Sequence, residues 1–450
     1  MKTRKEKRDM EKGQNYFFEL MKIKKHFFKE FDQKMKNVED NRHNSYIKYS
    51  PDILLFMIII KNISSLKTMR QMTEELNKEE CIINMKQTLK QEGLDELPHC
   101  DTINKFLSEL EEKEIENIRE YMIKELLKKR CFDKYRLDNK YWTIILDGTG
   151  LYSFNERHCE NCLKKEHKYE ENGKQKIKTI YYHHVLEAKL LVGDMVLSID
   201  SEFIENESKD VSKQDCEIKA FSRLTKRIKN NYKRLPICII GDSLYACERV
   251  FKQCEDYNWK YIIRFKKGRI KSIYEEFKEI REIEDEEGKN KFETKENKEG
   301  NSSFYSWVNK IDYKDSKVNV LNCGIKNKTE EKKFLFVMNI EINKKLSKEL
   351  LKTGRDRWKI ENEGFNIQKT KLYFIEHPNS NNYRALKNHY LLTQIADIIM
   401  QLFRKGVKIL KEFKKKIKEI SSDLLKNLRE KVITDEDIKN LAKPIQVRFS

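Results

Sequence analysis

The stretch LPICIIGDSLYA, residues 235–246, places the tightest limit on the fold. From Leu235 to Ile240 the chain shows none of the polar alternation that a strand with one wet face displays, so it reads as a short strand buried on both sides. Helical stretches on either side of it in the chain make the class α/β. The strand delivers Asp242 directly after its last apolar residues. A second run, YWTIILDGTGLY at 141–152, is aromatic and β-branched and ends in a Gly-rich turn, the texture of a strand carrying Asp147 near its C-terminal end.

The remaining elements fall into order around these two strands. Residues 1–45 are charged, with aromatic pairs at Phe17/Phe18 and Phe27/Phe28, and predict a basic helical arm or short helices. From Ser50 to about Arg130, apolar residues recur at three and four residue spacing, the pattern of several packed amphipathic helices. Within them, Pro98 marks a turn, Asp101 is the expected cap, and Ile103, Phe106, Leu107 and Leu110 form one stripe. That pattern suits either a plain helical pair or the second helix of a DNA-reading helix-turn-helix. A polar insert over 155–176 precedes TIYYHHVLEAKLLV and MVLSIDSEF, expected as strands two and three of a meander. Residues 213–230 have helical spacing with acids early and bases late, matching the helix dipole. WKYIIRFK adds a strand, and 268–330 reads as an inserted β segment with long polar loops, followed by the buried-type strand FLFVMNI. Residues 384–430 are helical, and the lysines around KILKEFKKKIKEI serve packing or a basic stripe along DNA.

Charge narrows the partners. The 450 residues carry Lys+Arg 93 against Asp+Glu 74, a net +19, which favours a polyanion: nucleic acid first, an anionic membrane surface second. The longest apolar run, ILLFMIII at 53–60, is far short of the roughly 20 residues that span a bilayer. The charged start MKTRKEKRDMEK is followed by no apolar segment, so no secretory signal and a cytoplasmic location are expected. Ten scattered cysteines are too sparse for a disulfide framework.

A third acid lies in GRDRWKIENEGFNIQKTK, residues 354–371. On an α-helix Arg357 and Glu361, four apart, share a face, whereas Glu363 points nearly the opposite way. Gly364 falls on the Glu361 face, where a helix-interior glycine is easiest to understand if another backbone comes close. The plain alternative is a solvated ion pair worth a few tenths of a kcal/mol. Taken singly, Asp147 and Asp242 also suit ordinary turns. Together, three acids in a basic chain repel one another unless a cation lies between them, and hard oxygen ligands suit Mg²⁺ or Mn²⁺. Two such ions about 4 Å apart serve phosphoryl transfer.

With LDGTG around Asp147, IIGDSLYA around Asp242 and RWKIENEGF around Glu361, the chain resembles the DDE transposases of bacterial insertion sequences. The resemblance covers roughly 140–400. It implies a ribonuclease-H-like mixed sheet with flanking helices, a β-rich insertion before the last acid, an N-terminal helical domain and C-terminal helices. The expected divisions are a DNA-binding helical domain at 1–135, core at 136–266, insertion at 267–333, core again at 334–400 and a helical region at 401–450. The class carries a signature of Tyr, two residues, Arg, three residues, Glu, six residues, Lys. Arg357 and Glu361 match it, while Gly354 and Gln368 occupy the Tyr and Lys places and Lys369 lies one step further.

By resemblance Asp147, Asp242 and Glu361 are catalytic and hold two Mg²⁺ or Mn²⁺ ions, Arg357 clamps a DNA phosphate, and Lys369 and Lys371 face DNA. Trp358 either stacks on a base or fills the core. The implied reaction is hydrolysis at the element's end and attack of the freed 3′-hydroxyl on another phosphodiester. Double-stranded DNA, as ends and target, and a second copy of the chain on paired ends are the expected partners. A non-catalytic DNA-binding descendant and a nuclease without strand transfer are the competing readings. Separately, His158-Cys159-x2-Cys162 with His167 has the spacing of half a zinc site, with Cys159, Cys162 and His167 as candidate ligands. Glu187, Asp194, Asp200 and Asp215 read as structural acids, Glu187 also as a support for the site.

Overall fold

The computed structural model describes residues 13–449 apart from 44, 46, 297–300, 327–329, 414, 442, 444, 446 and 448. The basic stretch 1–12 and the centre of the charge-dense loop near 300 therefore lie outside the described residues. The chain divides into two compact units. One comprises Phe132–Thr149 and His183–Gly364, and the other Met1–Cys131, Gly150–Tyr182 and Phe365–Ser450.

The strands are β1 (Trp142–Phe154), β2 (Leu163–Glu171), β3 (Lys174–Val192), β4 (Met195–Ile204), β5 (Ile237–Gly241), β6 (Lys260–Arg264), β7 (Lys291–Glu296), β8 (Asn301–Tyr313), β9 (Ser316–Lys326) and β10 (Glu331–Met338). They form one mixed sheet in the order β2-β3-β1-β5-β6-β10-β9-β8-β7, with β4 on β3. The apolar strand β5 lies between β1 and β6, parallel to both, and every residue of it is buried. This is the placement that its unbroken apolar texture demands. The insertion supplies the antiparallel strands β7 to β9, which join the sheet through β10.

Three elements of this unit differ from the expectation. Residues Lys271–Glu286, read as polar loop, form a helix that buries Ile273, Phe277 and Arg281. Arg281 is the reason for its masked apolar stripe: the guanidinium donates to Glu284 at 2.8 Å and stands in for a hydrophobe. Strand β1 runs on past Asp147 to Phe154, so this acid lies inside the strand and not at its end. The helix Ser347–Arg355 does not continue as α-helix through the signature; Ile360–Phe365 and Ile367–Lys371 are π-helical. Bonding from i to i+5 widens the turn, so the face-sharing of an α-helix no longer relates Arg357, Glu361 and Gly364.

In the other unit, the expected arm is a pair of packed helices, Tyr16–Phe27 and Phe31–Lys36, with Phe17, Phe27, Phe28 and Phe31 buried. The run ILLFMIII lies in the helix Pro51–Ile63, buried all round, as a helix without a polar face must be. Asn62 donates from it to Thr393 Oγ1 at 3.1 Å in the long helix Tyr383–Gly406. The helix Cys100–Glu109 buries Ile103, Phe106 and Leu107. Its cap is His99, whose ring accepts from the Asp101 amide, rather than Asp101 itself. The polar insert is also ordered: β2 pairs with Lys174–Tyr182 of β3, and its residues after Leu163 are exposed. No helix in the described residues is long and apolar enough to cross a membrane.

Two glycines near the signature separate close packing from free space. A Cβ on Gly354 would lie 2.6 Å from the Phe336 ring, whereas one on Gly364 would meet only Val196 and Lys189 side chains at 3.5 and 3.8 Å. Among the described residues the atoms nearest that Cβ are side-chain atoms and not a second backbone, contrary to expectation. Urea unfolding should therefore show Gly354→Ala destabilised by roughly 1–2 kcal/mol through overpacking, and Gly364→Ala neutral or stabilised by about 0.5–1 kcal/mol.

Candidate active site

The register of the central strands brings the first two acids together. Pairing of β1 with β5 runs from Trp142↔Ile237 to Ile145↔Ile240, so Asp147 and Asp242 each stand two residues beyond the last pair. Parallel strands advance in step, so the two carboxylates leave the same edge of the sheet side by side. Asp242 also caps the short turn Ser243–Tyr245, accepting from the Leu244 amide at 2.8 Å. Asp147 accepts from the Gly148 amide at 3.1 Å and from Arg357 Nη1 at 3.4 Å.

A further acid joins them that sequence reading missed. Glu217 opens the helix Glu217–Asn231, and the Tyr245 hydroxyl donates to its Oε2 at 3.2 Å. Its Oε1 would lie 2.5 Å from a Cβ on Gly148, with His184 at 2.6 Å, so the glycine after Asp147 is what gives the Glu217 carboxylate room. Tyr245, fully buried, is a core residue whose ring lies against Gly241 and whose polar end holds this acid. Glu217 had been legible only as one of several early acids favouring the helix dipole. Nothing in its spacing singles it out.

Burial raises the Asp147 carboxyl to about 6; Arg357 opposes the rise, while Asp242 and Glu217 add to it. Burial likewise raises Glu217, against the Tyr245 hydrogen bond, with Asp242 adding repulsion. These are the marks of carboxylates crowded where one cation, Arg357, only partly compensates them.

Arg357 is thus paired with Asp147 and not with Glu361 as an α-helical face would have it. Glu361 stands at the head of the π-helical stretch, exposed, and makes no hydrogen bond or ion pair among the described residues. No cluster of three metal-binding groups with all ligand atoms within 4.8 Å contains Asp147, Asp242 or Glu361 among the described residues. Trp358 is 45% exposed and so is not the core residue of the alternative reading. Lys359 fastens the signature segment to the turn between β3 and β4, donating to Gly193 O at 3.0 Å and lying 3.3 Å from Asp194.

Lys369 and Lys371 fall in the other unit. Lys369 pairs with Glu376 at 2.8 Å, and Lys371 is exposed. Gln368, at the signature lysine's place, is buried and donates to Gln394 and Asp397 at 3.0 and 2.8 Å.

Residues 138–396, more than half of the chain, match the transposase DDE domain family. The chain belongs to this family. No curated protein matches the chain. The protein is therefore a transposase of the insertion-sequence type, with the mixed α/β, ribonuclease-H-like fold described above, and DNA is the substrate that membership implies. Transposases of this family work with divalent metal ions, generally Mg²⁺.

The other singled-out residues have defined partners. In the transposase Asp200 pairs with Arg227 at 3.0 Å and Asp215 with Arg223 at 2.6 Å. Glu187 is buried, accepts from Ser198 and Ser201, and lies 3.9 Å from Lys189. Cys159 and Cys162 approach to 3.6 Å between sulfurs, and burial with the neighbouring thiol pushes Cys159 up to about 12. His167, on exposed β2, joins no metal-binding cluster with them among the described residues.

The raised Asp147 value fixes a pH dependence. Because the folded value of about 6 exceeds the ordinary 3.8, its contribution favours the fold below pH 3.8 and is lost as pH rises through 6. In metal-free protein, Asp147→Asn should be more stable than wild type at pH 8, by at most roughly 3 kcal/mol. Thermal melts should show this advantage vanish by about pH 4, and Mg²⁺ should raise the melting temperature of wild type alone.

Proposed function

We propose that Asp147, Asp242 and Glu361 are the catalytic acids of this transposase, and that it cuts the ends of its element and joins them to target DNA. The observation that carries this is the paired register of Asp147 and Asp242, at an edge where burial and repulsion leave negative charge under-compensated. Such a donor set, all carboxylate oxygen, fits Mg²⁺ or Mn²⁺. Asp147, Asp242 and Glu361 would hold the ions, with Glu217 beside them. When bound, they supply charge stabilisation at the phosphodiester and a more acidic nucleophile.

The chain's own residues hold and orient the DNA. Arg357, beside Asp147, presents a forked donor set to a phosphate, and exposed Trp358 offers a stacking face to an end base. A water oxygen forms the new bond to phosphorus, the bond to the 3′-oxygen breaks, and that oxygen leaves as the 3′-hydroxyl. The same hydroxyl then attacks a target phosphodiester, displacing its 3′-oxygen, with no covalent enzyme intermediate. The reading extends to the Y-R-E-K class, to the N-terminal helices as DNA-binding domain, to two copies on paired ends, and to work in the cytoplasm.

The test uses DNA carrying the inverted repeats that flank the coding region, with Mg²⁺ or Mn²⁺. Wild type is expected to cleave and join it. Asp147→Asn, Asp242→Asn and Glu361→Gln should each bind the ends with unchanged affinity and lose at least about a hundredfold in cleavage rate. Full cleavage by one of them removes that residue from the site. Cleavage without joining would make the protein a nuclease, and binding without cleavage a DNA-binding descendant.

A further inference from the structure

The edge that carries the acids also carries an arginine that the family signature does not contain. Pairing of β5 with β6 ends at Gly241↔Ile263, so Asp242 and Arg264 each lie one residue beyond it. Asp147, Asp242 and Arg264 therefore stand level with one another on three neighbouring parallel strands, just beyond where the pairing of β1 with β5 and of β5 with β6 stops. On the other side of β6, Arg264 pairs with Phe336 of β10.

That strand builds a platform. Phe334 and Phe336, on one face of β10, lie parallel, with centroids 6.4 Å apart and planes 2° apart. The Arg264 guanidinium stands 4.8 Å from the Phe334 centroid and 5.6 Å from that of Phe336, and donates to Lys333 O at 2.9 Å. Arg355, exposed at the end of its helix, stands 5.1 Å from the Phe334 centroid. Two guanidiniums thus share one ring. Neither forms an ion pair with a carboxylate among the described residues, and Arg357, which repels Arg264, comes within 3.4 Å of Asp147. In a chain with 74 acids, such a gathering of bases without a counter-charge is what an anion would complete. Ring stacking fixes the flat forks while leaving their N–H edges free to donate.

We infer that Arg264 and Arg355, stacked on Phe334, form a phosphate track that grips the backbone of the DNA strand flanking the bond to be cut. The track continues the line from the acids through Arg357, so it holds the strand in register with them without reading bases. This rests on the assignment of Asp147 and Asp242 as the cutting site.

The experiment measures binding of full-length protein to a fluorescent end duplex by anisotropy, in Ca²⁺, across a salt series. Arg355→Gln and Arg264→Gln are each expected to weaken binding roughly three- to tenfold and to lower the slope of log affinity against log salt by about one. Arg355→Lys should recover the slope. Replacing single backbone phosphates with neutral methylphosphonates should weaken wild type at a phosphate next to the cut and leave Arg355→Gln indifferent there. Because Arg264 is half-buried, exposed Arg355 carries the test if Arg264→Gln melts early. Wild type that cleaves its ends, with affinity and slope unchanged in folded Arg355→Gln, overturns the track and leaves the function intact. Wild type that neither binds nor cuts those ends overturns both.

Discussion

Two carboxylates are held level with each other on adjacent parallel strands of a buried sheet. Strands β1 and β5 advance in register, and their pairing ends two residues before Asp147 and Asp242. The backbone bonds of the buried sheet impose this neighbourhood, so the acids cannot relax it by moving apart. Burial raises the Asp147 value, and repulsion from Asp242 and Glu217 adds to it. Around this strain the local structure is shaped: Gly148 leaves room for Glu217, Tyr245 holds that acid's far oxygen, and Arg357 offsets part of the charge. On the function proposed here, divalent cations would complete the charge of this place.

The departures from the family signature have physical reasons in this chain. A tyrosine at position 354 would run into Phe336, whose ring already fills the space where even a Cβ would clash. That ring belongs to the pair of phenylalanines supporting Arg264 and Arg355, so a small residue here and an aromatic platform there go together. Gln368, in place of lysine, donates to Gln394 and Asp397 and accepts from the Gln394 amide at 3.2 Å, an exchange that an ammonium, which only donates, would leave incomplete. The cation moves one residue on, to Lys369, which finds Glu376.

Much of this was legible where the signal is burial. The unbroken apolar run 235–240 foretold a central strand and thus the position of Asp242, and the strand around Asp147 followed from its aromatic and β-branched texture. Elements that depend on pairing or on local winding were not legible. Strand β2, LKKEHKYEE, is polar on both faces and exposed after Leu163, so no periodicity marks it. The helix 271–286 buries an arginine where a hydrophobe would have announced it. The π-helical winding at 360–371 leaves no residue pattern, yet it undoes the face that α-helical spacing gives Arg357 and Glu361. Glu217 and the Arg264 platform become visible only when sheet register sets distant residues next to Asp147 and Asp242.

Everything proposed for this protein requires the Asp147–Asp242 edge to bind divalent cations for work on DNA. Anomalous diffraction from crystals of the transposase grown with Mn²⁺ and a pre-cut end duplex tests it most directly. Mn²⁺ peaks are expected at the carboxylates of Asp147, Asp242 and Glu361, with the 3′-end beside them. Peaks confined to other parts of the chain, with these carboxylates bare and the 3′-end elsewhere, would contradict it.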